Sequence, residues 1–221
     1  MAEASNYNDW LLARAEPFVG KRVLDFGAGI GTFTKALSSR ADVVAVEPDP
    51  EFAPRLRALF AENAHVTVVE ADAGWLAGGE PMDRFDTVLC FNVLEHIADD
   101  AGVLAAFHER LATGGHLLLL VPAHVLLFGE IDRSVGHERR YGRGDVRRLL
   151  EDVGFVPIDV RYVNPLGAVG WLVSSRLLRR RQVPSGPLRA YDRIVPILQR
   201  LDALPLPFGL SVWAVAKRTS E

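Results

Sequence analysis

An α/β architecture, with a seven-stranded, mostly parallel sheet flanked by helices, is what this chain of 221 residues predicts. Two observations carry the prediction. Short apolar runs of strand length alternate along the chain with segments of helical periodicity. The first of those runs, Val23-Leu24-Asp25-Phe26, opens into Gly27-Ala28-Gly29-Ile30-Gly31, a glycine turn between a strand and a helix.

The elements follow in order. A helix spans Asn8 to Pro17, with Trp10, Leu11 and Leu12 available to pack. Strand one covers 22–26 and a helix 31–39. Strand two covers 43–47; Pro48 and Pro50 hold off the next helix, over 51–62. Strands three and four cover 66–70 and 85–91. A helix over 99–112 places Val103, Leu104, Phe107 and Leu111 at helical spacing, and Thr113-Gly114-Gly115 closes it. Strand five, 116–122, is nearly all leucine. Gly154 stops a helix over 144–153, strand six covers 156–162, and 211–217 reads as a seventh strand. Residues 1–221 form a single domain, with a polar loop at 123–143 and an insertion at 164–207.

The glycine turn selects its ligand class. A dinucleotide loop of the form G-x-G-x-x-G would need glycine at position 32, which is Thr32. Asp25, at the carboxyl end of strand one, would repel phosphate. A cationic ligand with an adenosine body suits that edge, and S-adenosylmethionine (SAM) carries a sulfonium, an amine and no phosphate. Glu47, ending strand two, can accept hydrogen bonds from both ribose hydroxyls. Asp72, ending strand three, could accept one from the adenine amino group. The candidate cofactor-binding set is Asp25, Gly27, Ala28, Gly29, Glu47, Pro48, Asp72 and Ala73, joined by Asn92 and His96 just after strand four, where His96 either lines the pocket or caps its helix.

With these four stations in order, the chain resembles the class I SAM-dependent methyltransferases over residues 5 to 160. The resemblance implies a Rossmann-like sheet and a methyl-transfer activity. The run Gly136-His137-Glu138-Arg139-Arg140-Tyr141 and the opening Asn6-Tyr7-Asn8-Asp9-Trp10 resemble a subset of small bacterial members. By that resemblance Tyr7 caps the methionine end of SAM.

Methyl transfer is an in-line displacement at an activated carbon, so orientation and desolvation supply most of the rate. A base is needed only where the nucleophile carries a proton. His137 is the first candidate, since imidazole titrates near neutral pH; the alternative is a structural role through Asp132 or Tyr141. Asp132, Arg140 and Tyr141 are the candidate acceptor-binding residues, with Arg139 or Arg140 able to clamp a carboxylate or phosphate. No metal-ligand set is evident: His124, Asp132 and His137 could approach one another, but no spacing rule requires it.

Composition bounds the rest. The single cysteine, Cys90, excludes an internal disulfide and reads as packing. The start lacks a signal-peptide pattern, and the protein reads as cytoplasmic. Residues 1–132 hold nine Lys/Arg against twenty Asp/Glu, net −11, and residues 133–221 hold sixteen against eight, net +8. This split suggests an anionic acceptor or surface; the plain alternative is solvated arginines. No nucleic-acid module is present. The insertion 164–207 reads as two amphipathic helices, punctuated by prolines, that form a lid over the acceptor or a dimer surface. A sharper version has Arg179, Arg180 and Arg181 meet anionic headgroups in a peripheral membrane contact. No Asn-Pro-Pro-Tyr run follows strand four, which favours a small-molecule acceptor over nucleic acid or protein. Two function classes follow: a SAM-dependent enzyme, and a SAM-binding or partner-binding protein with little turnover.

Overall fold

The computed structural model describes residues 5–78, 84–177, 192–195 and 206–220. Seven strands form one sheet: β1 (Arg22–Phe26), β2 (Asp42–Val46), β3 (Val66–Val69), β4 (Phe85–Phe91), β5 (Leu111–Pro122), β6 (Phe155–Val163) and β7 (Ser211–Arg218). Their order is β3-β2-β1-β4-β5-β7-β6. The pairs from β3 through β5 are parallel, and β7 runs antiparallel between β5 and β6. The mostly parallel sheet is thus as the alternation of elements predicts. The insertion of β7 between β5 and β6 carries no local sequence signal.

The helices are α1 (Ser5–Ala15), α2 (Thr32–Leu37), α3 (Phe52–Leu59), α4 (Asp100–Arg110), α5 (Glu130–Ser134), α6 (Arg143–Asp152) and α7 (Pro165–Trp171). Single 3-10 turns at Ala73–Ala77, Leu94–His96 and Val125–Leu127 follow β3, β4 and β5.

Strand periodicity sends alternate side chains to opposite faces, and both faces are covered. Leu24, Phe26, Val88, Cys90, Leu117, Leu119, Val121, Val212 and Ala214 pack with Leu104 and Phe107 of α4 and with Leu150 of α6. Val23, Leu89, Phe91, Leu118, Leu120, Trp213 and Val215 pack on the other face with Trp10 and Leu11 of α1 and Leu37 of α2. The leucine run of β5 therefore serves both layers. Cys90 is fully buried in the first core, and burial pushes its thiol up.

Several boundaries differ from the sequence reading; α2 and α3, for instance, are shorter than expected, ending at Leu37 and Leu59. Helix α1 begins at Ser5, three residues before the expected Asn8. Its first N–H groups are satisfied from far along the chain: Asp192 accepts hydrogen bonds from the Asn6 and Tyr7 amides at 3.3 and 3.0 Å. Helix α4 stops at Arg110, because the fully buried Leu111 already pairs with Phe85 in the sheet. Residues 112–115 then bulge before His116 rejoins beside Thr87, with Gly114 at φ +86°. In the expected lid, α7 and a π-helical turn at Leu172–Leu177 are described, and 192–195 are helical. The remainder of the expected helix over 188–204, and Arg179–Arg181, lie outside the described residues.

Candidate active site

Among the described residues, three non-glycine residues have positive φ, and they mark one edge of the sheet: Asn92 (55°), His124 (59°) and Asn164 (61°), just past the carboxyl ends of β4, β5 and β6. Such backbone is uncommon outside glycine and gathers at functional edges. The glycine loop lies on the same edge.

That loop is held by β2. The Gly27 and Ala28 amides donate to the Val46 carbonyl at 2.8 and 3.0 Å. The Gly29 amide donates to Glu47 Oε2 at 2.7 Å, and the Gly31 amide to the Ala28 carbonyl at 2.9 Å. Four loop N–H groups are therefore spent inside the protein. An anion nest needs such groups free, so this loop is not built for a pyrophosphate. Gly27 sits at φ +77°, and a Cβ there would come within 2.2 Å of Val93 Cγ2. Glycine is required at that position on both counts.

Glu47 is 6 % exposed, and its Oε1 also accepts from the Asp49 amide at 3.0 Å. Each carboxylate oxygen has a second lone pair available to a ribose hydroxyl. Asp25 differs from expectation. Its neighbours Leu24 and Phe26 face the α4 core, so its own side chain points under α2. There it is 4 % exposed and accepts a 2.6 Å hydrogen bond from Thr34 Oγ1. It does not present an open carboxylate at the edge. Burial pushes it up to about 6, Thr34 opposes the shift, and Glu47 adds to it. Asp72 Oδ1 caps the turn at Ala73–Ala77 by accepting from the Gly74 amide at 2.8 Å. Asp72 and Pro48 are exposed and Ala28 is buried. Tyr7 is 8 % exposed, with its ring 5.4 Å from that of Trp10.

The polar loop after β5 is organised by one carboxylate. Asp132, fully buried, accepts from His137 Nδ1 at 2.9 Å and Arg140 Nε at 2.8 Å on Oδ1. Its Oδ2 accepts from the Gly129 amide at 2.8 Å and from Trp171 Nε1 of α7 at 3.3 Å. Burial alone would raise it, but the His137 hydrogen bond and the Arg140 charge hold it below the usual carboxylate range.

His137 Nε2 in turn faces Glu95 Oε1 at 3.6 Å. Glu95 is fully buried, neither oxygen has a hydrogen-bond partner on another residue, and burial pushes it up to about 8 against the opposing pull of its own backbone amide. His96 is exposed; its ring lies edge-on to that of His137 at 4.8 Å, and its Nδ1 is 3.1 Å from the Gly136 carbonyl. Burial, then the His137 charge, lower its pKa.

The structure thus brings together Asp132, His137, Arg140 and His96, and adds Glu95 and Trp171, which the sequence reading missed. A lone acid in the apolar run Val93-Leu94-Glu95-His96-Ile97 was the available signal for Glu95. Two acceptor candidates turn inward. Arg140 is 4 % exposed; besides Asp132 it donates to the Ala123 carbonyl at 2.9 Å and lies 4.8 Å over the Trp171 ring. Tyr141 is 4 % exposed and donates to Asp100 Oδ2 at 3.0 Å, because its ring belongs to the α4 core. Arg139 pairs with Asp100 and Glu138 at 3.0 and 3.2 Å. Neither arginine is left as an open anion clamp. His124 stands apart from the cluster, stacked on Tyr162 at 4.4 Å.

This sheet order, with a glycine loop closed on its own backbone, defines a class I methyltransferase architecture. A family model described as a methyltransferase domain matches residues 3–160, and the chain belongs to that family. It is a SAM-dependent methyltransferase. The chain is 31% identical over 172 residues to a ubiquinone biosynthesis O-methyltransferase of Aeromonas salmonicida, covering 71% of each chain. Against the enzyme of that name from Ralstonia nicotianae it is 36% identical over 112 residues, 49% of this chain and 46% of the other. A SAM-dependent methyltransferase from Archaeoglobus fulgidus shares the fold at TM-score 0.64 and 18% identity, over 93% of this chain and 90% of that one. A phosphoethanolamine N-methyltransferase 2 from Haemonchus contortus, holding S-adenosylhomocysteine, superposes at TM-score 0.66 and 19% identity, over 97% of this chain and 53% of that one.

Two predictions follow from the loop and the carboxylate beneath it. Gly27→Ala should weaken SAM binding by about tenfold or more, corresponding to about 1.4 kcal/mol, read by calorimetry. Adding Val93→Ala should restore only part, since the positive φ remains strained. Full retention of affinity in Gly27→Ala would contradict the close approach.

Asp25 makes the second prediction. Its proton is held more tightly in the folded chain, so its contribution is stabilising below about pH 4 and is lost as pH rises to about 6. The groups facing it are Thr34, Glu47 and Cys90. Asp25→Asn keeps an acceptor for Thr34 without the charge. Its stability relative to the unsubstituted protein should climb from about pH 4 through pH 6 and level off above about pH 7, by about 3 kcal/mol over the whole range, measured by urea unfolding across pH. A pH-independent difference would refute the buried-charge account.

Proposed function

We propose that this enzyme methylates an oxygen of a small molecule that carries an apolar portion, at the edge formed by β4 and β5. The observation that carries the reading is the Asp132-held His137 beside Glu95, one turn from the glycine loop through the Val93–Gly27 contact. Glu47 holds the ribose, with Asp72 and Ala73 at the adenine. Asn92 and His96 line the methyl-donor end, Tyr7 its methionine portion. The acceptor oxygen, which must lose a proton, is activated beside His137. The relatives named as O-methyltransferases support an oxygen acceptor.

Exposed apolar side chains surround the same edge. Val125 and Leu126, 68 % and 81 % exposed, follow His124, and Leu166, Val169, Leu172 and Val173 line the outside of α7 and the turn after it. Scattered single apolar residues would mean little, but several on adjoining segments support an apolar acceptor beside α7. The interfacial version of that segment is the second reading, favoured by the same residues. No helix among the described residues is long and apolar enough to cross a membrane.

The test is incubation of the protein and methyl-labelled SAM with host-cell extract, followed by separation into lipid, aqueous small-molecule and macromolecular fractions. Label in a small-molecule fraction, lost in His137→Ala while SAM binding persists, is expected. Label in lipid would favour the interfacial reading, and label in water-soluble metabolites a plain substrate lid. Label only in macromolecules, or no turnover despite SAM binding, would overturn the proposal.

A further inference from the structure

We infer that Glu95, His96 and His137 form a binding site for a divalent transition-metal ion, placed where the acceptor oxygen would sit. The inference deepens the proposed function and rests on that placement of the acceptor. One ligand atom from each of the three residues lies within 4.8 Å of the others. The His137 Nε2 to Glu95 Oε1 separation is 3.6 Å. A tetrahedral ion bound at about 2.0–2.2 Å needs donors about 3.4 Å apart, so that pair already stands near the required spacing. The exposed His96 need draw in by only about an ångström to complete the set.

Two further observations separate this cluster from an incidental grouping. The first is Glu95 itself. It lies at 0 % exposure, and neither carboxylate oxygen has a hydrogen-bond partner on another residue, His137 Nε2 standing off at 3.6 Å. A buried acceptor left unpaired is costly, and the native arrangement implies that something satisfies it. The second is how the imidazoles are held. His137 turns Nδ1 to the buried Asp132 at 2.9 Å, which leaves Nε2 aimed at Glu95. The ring of His96 is set by the Gly136 carbonyl at 3.1 Å. A ligating histidine characteristically directs its other nitrogen to a carboxylate or carbonyl in this way.

Two imidazoles and one carboxylate suit Mn2+, Fe2+, Co2+ or Zn2+ better than Ca2+. Three protein donors leave coordination positions for other ligands, and the cluster is open on the side of the exposed His96. An oxygen nucleophile held there would ionise more readily than in water. The role of His137 is then that of a ligand fixed by Asp132, and Asp132 is a positioning residue.

Co2+ alone is the probe. The metal-stripped full-length protein should bind one equivalent saturably, with visible absorption typical of nitrogen- and oxygen-ligated cobalt. His96→Ala, at an exposed position, should weaken Co2+ binding by about tenfold to a hundredfold, and Glu95→Gln comparably. Circular dichroism checks that each variant is folded. Asp132→Asn should shift the cobalt spectrum, a readout that a purely structural role would leave unmoved. S-adenosylhomocysteine binding is measured on the same samples, so the cofactor site and the metal site can fail separately. Absence of saturable Co2+ binding, or binding indifferent to His96→Ala and Glu95→Gln, overturns the inference even where S-adenosylhomocysteine still binds.

Discussion

The rest of the structure depends on one contact, the hydrogen bond from the Gly29 amide to the buried Glu47 carboxylate. It ties the loop after β1 to the end of β2, and the Val46 carbonyl completes the tie by accepting from Gly27 and Ala28. The loop is therefore shaped before any ligand arrives. Its amides are satisfied internally, which leaves few free N–H groups to cradle an anion. Such preorganisation lowers the ordering cost of binding. It also explains why the glycines are needed: Gly27 must pass Val93 at a distance no side chain permits.

A second buried carboxylate does the same for the other half of the edge. Asp132 gathers His137, Arg140, Gly129 and Trp171. Through Trp171 it joins the loop after β5 to helix α7, so that helix and the His137 imidazole share one anchor. Fully satisfied buried networks of this kind rigidify a site. Several described arginines of this loop and of the helix and strand after it are held by acids. Arg133, Arg139, Arg140, Arg147, Arg148 and Arg161 each pair with an acid close by.

Much of the fold was legible because its signals are local. The Val43–Val46 and Leu117–Leu120 runs announce strands buried on both faces, and the glycine turn announces the ligand edge. The place of Glu47, an acid just past the end of β2, was legible for the same reason. Asp25 was misread because strand parity, invisible in a four-residue apolar run, turns it under α2 toward Thr34. Arg140 and Tyr141 looked like acceptor ligands because they are polar groups in a loop. Their pairing with Asp132 and Asp100 is set by tertiary packing. Glu95 was missed because only the folded chain shows that its carboxylate is buried beside His137. The capping of α1 by Asp192 likewise joins residues far apart in sequence.

The account stands most directly on where the cofactor's ribose lies. A crystal structure of the protein with S-adenosylhomocysteine tests it. The predicted result has both ribose hydroxyls within hydrogen-bond distance of Glu47, with the Gly29 amide still donating to the same carboxylate. A ribose bound elsewhere, or a glycine loop that releases Glu47 and turns its amides toward the ligand, would contradict the account.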